Sequence, residues 1–473
     1  MGCRHLIPVV NGLKSGLRLL FVCLLVAAGA TVATGYASSD QAATAERFAE
    51  GNGVAEERDG VTVIATDSNS WLGRGNEGPR AKAELIAVGP DGTVQYYNDS
   101  HTRYWDVDPV PGTEMTVEYV AADHLTPEEC GGEEVCTRNV IERVNLSTGE
   151  TERIFGRVTE GKHSTRWHDA DRIDEDHVVV ADIAKDRVFV VNTTTGLTTW
   201  AWSAQNAFAT DESGGPYPED WTHINDVEVL SDGRIMVSVR NHDQVVFLDR
   251  ETGMLANQTL GSDGDHETLY EQHNPDYIPR SEGGPAALVA DSENSRLVEY
   301  QRADGGWERT WTWKDARLQW PRDADRLPNG HTLVTDSNGN RVFEVDEDGE
   351  VVWSMDVAFP YEAERLNTGD ESSGGPSAQQ AGLQSATADG DEGASDSADT
   401  AGVFGAIFGA VEGVLGNTVV NAVMYVLPAW AGGPEVAAVV VAVGTVVVWA
   451  GVELYWSPWR PSIHRHITIE WKN

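Results

Sequence analysis

The sequence predicts an all-β fold, a six-bladed β-propeller flanked by an N-terminal and a C-terminal transmembrane helix. Three observations predict it: a unit recurring every 50 residues or so, a stray first strand at the far end of the repeats, and two apolar stretches outside them. The unit is clearest where Arg322-Asp323-Ala324-Asp325-Arg326-Leu327 is followed by HTLVTDSNGNRVFEVDEDGEVVW. His168-Asp169-Ala170-Asp171-Arg172-Ile173 opens another, as do His223-Ile224-Asn225-Asp226, His273-Asn274-Pro275-Asp276 and Trp105-Asp106-Val107-Asp108. Each unit reads as four short strands, the last two joined by a Thr-Gly or Asp-Gly turn. Four antiparallel strands cannot bury both faces alone, so the units must stack, and closing the stack protects its edges. The unit beginning VTVIATDSN lacks a first strand. Tyr361-Glu362-Ala363-Glu364-Arg365-Leu366 matches Arg322 to Leu327 and is predicted to supply it, closing a ring over residues 58–369.

The flanks are read in chain order. Residues 1–18 form a basic leader with Arg4, Lys14 and Arg18, and 19–35 an apolar signal anchor. Residues 370–402 are Ser, Gly, Ala, Asp and Gln with hardly an aromatic, so a disordered acidic linker is expected. Residues 404–428 are apolar but carry Glu412, Asn417 and Asn421, which predicts an amphipathic segment lying on the membrane surface. Residues 435–456 are long and apolar enough to span, and end in the aromatic belt Trp449, Tyr455, Trp456 and Trp459. Residues 457–473 form a basic tail with Arg460, Arg465 and Lys472. Basic flanks stay in the cytoplasm, so both termini are expected there and the propeller outside the cell membrane.

The net charge is −41, and the only lysines are Lys14, Lys82, Lys162, Lys185, Lys314 and Lys472. Such a surface suits high salt, where self-repulsion is screened over about 3 Å at about 1 M, and a halophilic source is expected. A chain this acidic repels phosphates, which argues against a nucleic-acid partner. Cys130 and Cys136 bracket a short acidic loop and are read as a disulfide pair in an oxidising compartment.

The first strand of each blade lines the central channel of a propeller. The residues opening the repeats are Trp105, His168, His223, His273, Arg322 and Tyr361. Three histidines and an arginine converging from separate blades predict a cationic, hydrogen-bonding pocket suited to an anion with several oxygens. Arg240, at the end of the strand RIMVSVR in the same blade as His223, is expected to join them. Any one of these histidines taken alone is as readily a satisfied structural residue. A three-histidine metal site is the other reading of the trio, disfavoured by the added arginine.

With RWHDADRI, DWTHINDVEVLSDGRIMVSVRNHDQVVFLD, EQHNPDYI, SRLVEY and the blade ending GEVVW in order, residues 60 to 365 resemble the PAPS-independent arylsulfate sulfotransferase (ASST) family. The acidity and the two apolar segments make it look like a membrane-anchored, haloarchaeal-type member. The resemblance implies transfer of a sulfuryl group from a phenolic sulfate ester to a phenol or other hydroxyl acceptor. It implies a sulfohistidine intermediate on His273, with His168, His223, Asn225 and Arg240 holding the sulfate, and Arg322 beside them. Trp105 and Tyr361 would line the channel, and neither cofactor nor metal is expected. The chain departs from the family's bacterial pattern in showing no separate N-terminal β-sandwich, which leaves the oligomeric state open. A non-catalytic extracellular binding module and a metal hydrolase built on the histidines are the alternatives.

Overall fold

The computed structural model describes residues 6–38, 47–67, 82–132, 136–160, 166–315, 318–369, 374–388, 410, 413–457, 459–463 and 467–471. It divides into two units, one of residues 42–393 with 417–429, the other of residues 1–41, 394–416 and 430–473. The first unit is a six-bladed β-propeller.

Blade 1 is built from both ends of the repeat region. The strand Pro360–Arg365 pairs antiparallel with Thr62–Thr66, Ala363 opposite Ile64, and Leu85–Val88 and Val94–Asn98 complete the sheet. Blade 2 starts with the inner strand Arg103–Pro109, blade 3 with Trp167–Arg172, blade 4 with Ile224–Val229, blade 5 with His273–Ile278 and blade 6 with Pro321–Arg326. The strands are apolar on both faces because each sheet is packed on both sides. Along the blade 1 strand Thr62–Thr66, Val63 packs with Tyr104 and Tyr119 of blade 2, whereas Ile64 packs with Leu333 and Val342 of blade 6. Period-two alternation thus sorts residues between two neighbours rather than between core and water.

Carboxylates clamp the blades at every junction. Asp106 accepts from the Ala170 amide at 3.1 Å, Asp169 from Val227 at 2.9 Å and Glu228 from Tyr277 at 2.9 Å. Asp276 accepts from Arg326 at 3.4 Å, Asp323 from Ala363 at 3.1 Å and Glu362 from Val107 at 2.9 Å, closing the ring. Within three blades an aspartate at the end of the second strand pairs with the arginine five residues on: Asp182 with Arg187, Asp291 with Arg296 and Asp336 with Arg341. Cys130 and Cys136 form a disulfide in the loop after the second strand of blade 2.

Two flanking stretches differ from their sequence expectation. Within 370–402, expected to be disordered, residues 374–388 are described and lie on the propeller. Ser377 caps the short helix Ala378–Ala381, the Ala378 amide donates to Glu299 at 2.9 Å, and Ala386–Ala388 pairs in parallel with the outer strand of blade 5. Small side chains let this backbone lie close enough to be held by its own amides, a source of order that low hydrophobicity does not reveal. Residues 389–402 lie outside the described ones. Within 404–428, the helix Asn417–Val426 belongs to the propeller unit, with Val420, Asn421 and Met424 on its buried face. Residues 404–409, 411 and 412 are outside the described set.

The second unit pairs the helix Leu6–Ser38 with the helix Gly433–Trp456. Both contain stretches long and apolar enough to cross a membrane, Lys14–Ala37 and Gly433–Trp456. Arg18 donates to Glu453 through Nε and Nη2, and Phe21 meets Trp449 at 5.6 Å. Beyond the second helix, the predicted basic tail contains a hairpin, Trp459–Ile463 against Ile467–Trp471.

Candidate active site

A β-bulge near the start of each inner strand shapes the channel. The register slips between Tyr104 and Asp106, Trp167 and Asp169, Ile224 and Asp226, His273 and Asp276, and Pro321 and Asp323. In blade 1 the register shift puts Thr66 opposite Pro360 and Ala65 opposite Glu362, skipping Tyr361. The extra residue is freed from the ladder and re-aimed. Counting back from the carboxylate that follows each bulge, one position holds Trp105, His168, Asn225, Pro275, Arg322 and Tyr361. Two residues earlier stands a second set: Arg103, Arg166, His223, His273, Trp320 and Phe359. Three of that set share a left-handed backbone, with φ of 46° at His223, 63° at Trp320 and 50° at Phe359.

The six residues singled out in the sequence therefore belong to two rings. Trp105, His168, Arg322 and Tyr361 fall in one, and His223 and His273 in the other. Ring contacts bring them together. His168 stacks on Trp105 at 4.1 Å and meets His223 edge-on at 5.2 Å, while Tyr361 lies 5.5 Å from His168 and 6.1 Å from His273. The Arg322 guanidinium lies over Trp320 and Tyr361, 4.1 and 4.7 Å from the ring centres. Arg103 and Arg166, which the sequence reading passed over, both lie over Trp105, at 5.1 and 4.9 Å. Their signal was present: Thr102-Arg103-Tyr104-Trp105-Asp106 and Thr165-Arg166-Trp167-His168-Asp169 share a Thr-Arg-aromatic opening.

Second partners fix several side chains. His273 Nδ1 lies 2.8 Å from Ser292 Oγ, and that hydroxyl donates to the Pro321 carbonyl at 2.6 Å. With its proton committed there, Ser292 accepts from His273, so Nδ1 carries the ring hydrogen and Nε2 a lone pair. His168 Nδ1 is 2.9 Å from the Tyr361 hydroxyl. His223 Nδ1 is 2.8 Å from Asp220, Asn225 donates to the Gln272 carbonyl at 3.0 Å, and Arg240 pairs with Glu271.

Several polar atoms of the site are orphans among the described residues. Nε2 of His168 and His273, Nε of Arg166, Arg240 and Arg322, Nε1 of Trp105 and Oδ1 of Asn225 are buried without a hydrogen-bond partner among the described residues. Such atoms are costly unless something meets them, and most of these are donors, which suits an oxyanion. Burial, then Arg166, holds the His168 pKa well below the ordinary imidazole value; burial, then Arg322 and Arg240, does the same to His273. Burial lowers His223 as well, against the pull of Asp220. Arg166 falls to about 10 through burial and its neighbour Arg103. Burial works against the Arg240 charge, but Glu271 and Asp220 more than restore it. The site thus joins neutral imidazoles to guanidinium groups.

The helix Asn417–Val426 covers this end of the channel. Tyr425 packs edge-on against Trp320 at 5.3 Å and against Phe359 at 5.5 Å. Asn421 donates to Glu293 at 3.2 Å and Asn340 to the Ala429 carbonyl at 3.1 Å. Beneath it, His273 is 0% exposed and His168 2%.

Comparison with known proteins gives the following. No curated protein matches the chain. Among solved structures, a Bacteroides caccae protein of unknown function shares 9% identity and a TM-score of 0.44, over 65% of this chain and 99% of that one. A periplasmic gluconolactonase from Pseudomonas aeruginosa shares 13% identity and a TM-score of 0.42, over 66% and 99%. Residues 146–301 match the arylsulfotransferase (ASST) family model. That stretch contains His168, His223, Asn225, Arg240 and His273 and ends before Arg322 and Tyr361. Over those residues the chain is similar to the arylsulfotransferases, a family whose name describes sulfuryl transfer and whose match falls here on a propeller.

Proposed function

We propose that this protein is an arylsulfotransferase-like enzyme that moves a sulfuryl group from a phenolic sulfate ester to a phenol or other hydroxyl acceptor through a sulfohistidine at His273. One observation carries the reading: His273 Nε2 is a buried, unpartnered, unprotonated nitrogen amid guanidinium groups. Nε2 attacks sulfur, an N–S bond forms, and the aryl C–O–S bridge breaks at its O–S bond with the electron pair leaving on the phenolate. A phenolate is a workable leaving group, its conjugate acid having a pKa of about 10. Arg166, Arg240 and Arg322 meet charge on the sulfuryl oxygens, and His168 and Asn225 orient them. An acceptor hydroxyl then attacks the same sulfur, loses its proton and restores the imidazole. His223, held by Asp220, is the group placed to take that proton. Trp105 and Tyr361 form the aromatic wall against which the aryl ring packs.

The propeller works on the outer face of the cell membrane, with both apolar helices spanning and both termini in the cytoplasm, as the basic flanks support. The source is a halophile of archaeal type, in keeping with the charge of −41. Initial rates with p-nitrophenyl sulfate and a phenol acceptor test the reading. Parallel double-reciprocal lines are expected, the mark of a covalent ping-pong route. Lines that intersect, or no p-nitrophenol release by folded protein, would overturn it.

A further inference from the structure

The histidines and arginines occupy one end of the channel. Along the same inner strands, past the bulges, the side chains change sign. Eight carboxylates, together with Asn274 and Pro275, line a cavity of about 20 Å³, room for one water-sized species. Clamping the blades accounts for part of this collar: Asp106, Asp169, Asp276, Asp323 and Glu362 each hold an amide of the next blade. It does not account for Asp226 or Asp325. Asp325 is 3% exposed, faces the cavity and has an Oδ2 with no partner; Asp226 Oδ2 and Asn274 Oδ1 are buried and unpartnered too. The guanidinium acting on Asp276 is that of Arg326, already paired with Glu299 at 3.3 Å. Like charges this close and this dry repel strongly, and buried acceptors without donors are costly.

Geometry singles out two of these carboxylates, Asp106 and Glu362, together with Asp108, which stands outside the cavity lining. One oxygen from each of Asp106, Asp108 and Glu362 lies within 4.8 Å of the others, all three residues being buried. A hard cation with oxygen ligands at roughly 2.3–2.6 Å bridges oxygens that far apart. The amide oxygen of Asn274 is a further ligand of the right type. Its Nδ2 donates to Glu362 at 2.8 Å, which ties it to the same trio. The ligands come from different blades, Asp106 and Asp108 from blade 2, Glu362 from blade 1 and Asn274 from blade 5, so an ion here would also pin the ring where its two chain ends meet.

We propose that the acidic end of the channel is a calcium site, with Asp106, Asp108 and Glu362 as its first ligands and Asn274 and Asp325 completing the oxygen shell. All-oxygen ligation by several carboxylates and an amide carbonyl fits calcium rather than zinc. The site is separate from the histidine pocket and stands whether or not sulfuryl transfer does.

The test uses the full-length chain in detergent, stripped with EDTA and titrated with calcium chloride in a calorimeter at fixed high sodium chloride. Salt there suppresses diffuse binding to the acidic surface. About one calcium per chain should bind, with a matching rise in melting temperature. Asp108→Asn and Glu362→Gln should abolish that site. The exposed-surface control Asp211→Asn should keep it. Glu362→Gln also touches the clamp on Val107, so Asp325→Asn, which breaks no hydrogen bond, is the variant that keeps the test sharp; a loss of affinity of at least about tenfold is expected. No stoichiometric calcium, or calcium bound equally by Asp325→Asn, Asp108→Asn and Asp211→Asn, overturns the proposal.

Discussion

Ser292 Oγ donates to the Pro321 carbonyl, so it can only accept from His273, and that fixes which ring nitrogen is free. The proposed nucleophile is thus set by a residue nineteen positions away in sequence, on the neighbouring strand's exit turn. His273→Ala should lower p-nitrophenol release by at least about 10³-fold. Ser292→Ala should keep the ring but lose the tautomer, costing about tenfold or more in kcat, with the folded state checked by near-ultraviolet circular dichroism. Burial and the Arg322 charge hold the His273 pKa below its ordinary value, so the imidazole stays neutral at pH 7. Falling pH removes activity only once it passes that depressed pKa, so the acid limb of kcat/KM should lie below about 6.5. A limb above that value would mean another group controls attack. At this scale the sequence was only partly legible. Repeats aligned on their opening residue paired His273 with Arg322, but a bulge adds a residue without breaking the visible pattern, so the two sit in different rings. Arg103 and Arg166 went unnoticed for the same reason: alignment began one bulge too late.

At the scale of the element, the helix Asn417–Val426 and the inner strands carry the account. His273 has no exposure, so on the proposed reading a donor enters once that helix or a neighbouring element moves. Its buried face of Val420, Asn421 and Met424 packs on the propeller, with Tyr425 on two rings and hydrogen bonds at Thr418, Asn421 and Ala429. Loosening it with Tyr425→Ala should raise kcat/KM for p-nitrophenyl sulfate several-fold, about 2- to 10-fold, if opening limits entry. An unchanged value would show that substrates take another path. The inner strands are locked by their carboxylate clamps. Glu228→Ala leaves the part-buried Tyr277 amide without its acceptor at 2.9 Å, and should cost about 0.5–1.5 kcal/mol in denaturant unfolding. The strands themselves were readable from alternation and turn residues, because packing between two neighbours still demands a period of two. The ordered stretch 374–388 was not, since what holds it is backbone amides, a caught Glu299 and only three small or isolated apolar side chains, Ala378, Leu383 and Ala386.

Across the whole propeller the channel is polarised, guanidinium groups and neutral imidazoles at one end and a carboxylate collar at the other. On the proposed reading an anionic donor is drawn to the first end, where the positive charge gathers. The closure of the ring by Pro360–Arg365 was legible because a strand copy stood outside its repeat; the polarity was not, because it depends on which side of a bulge each residue falls. The chain carries a net charge of −41, and its self-repulsion should make the melting temperature of the full-length protein in detergent climb between about 0.1 and 2 M salt. A flat or falling curve would contradict the halophilic reading. The central claim concerns one covalent bond, and intact-protein mass spectrometry after incubation with p-nitrophenyl sulfate in high salt tests it most directly. The account predicts a gain of about 80 Da on the wild-type protein, one sulfuryl group, discharged by added phenol and absent from His273→Ala. No adduct on folded wild-type protein that releases p-nitrophenol, or an equal adduct on His273→Ala, would contradict it.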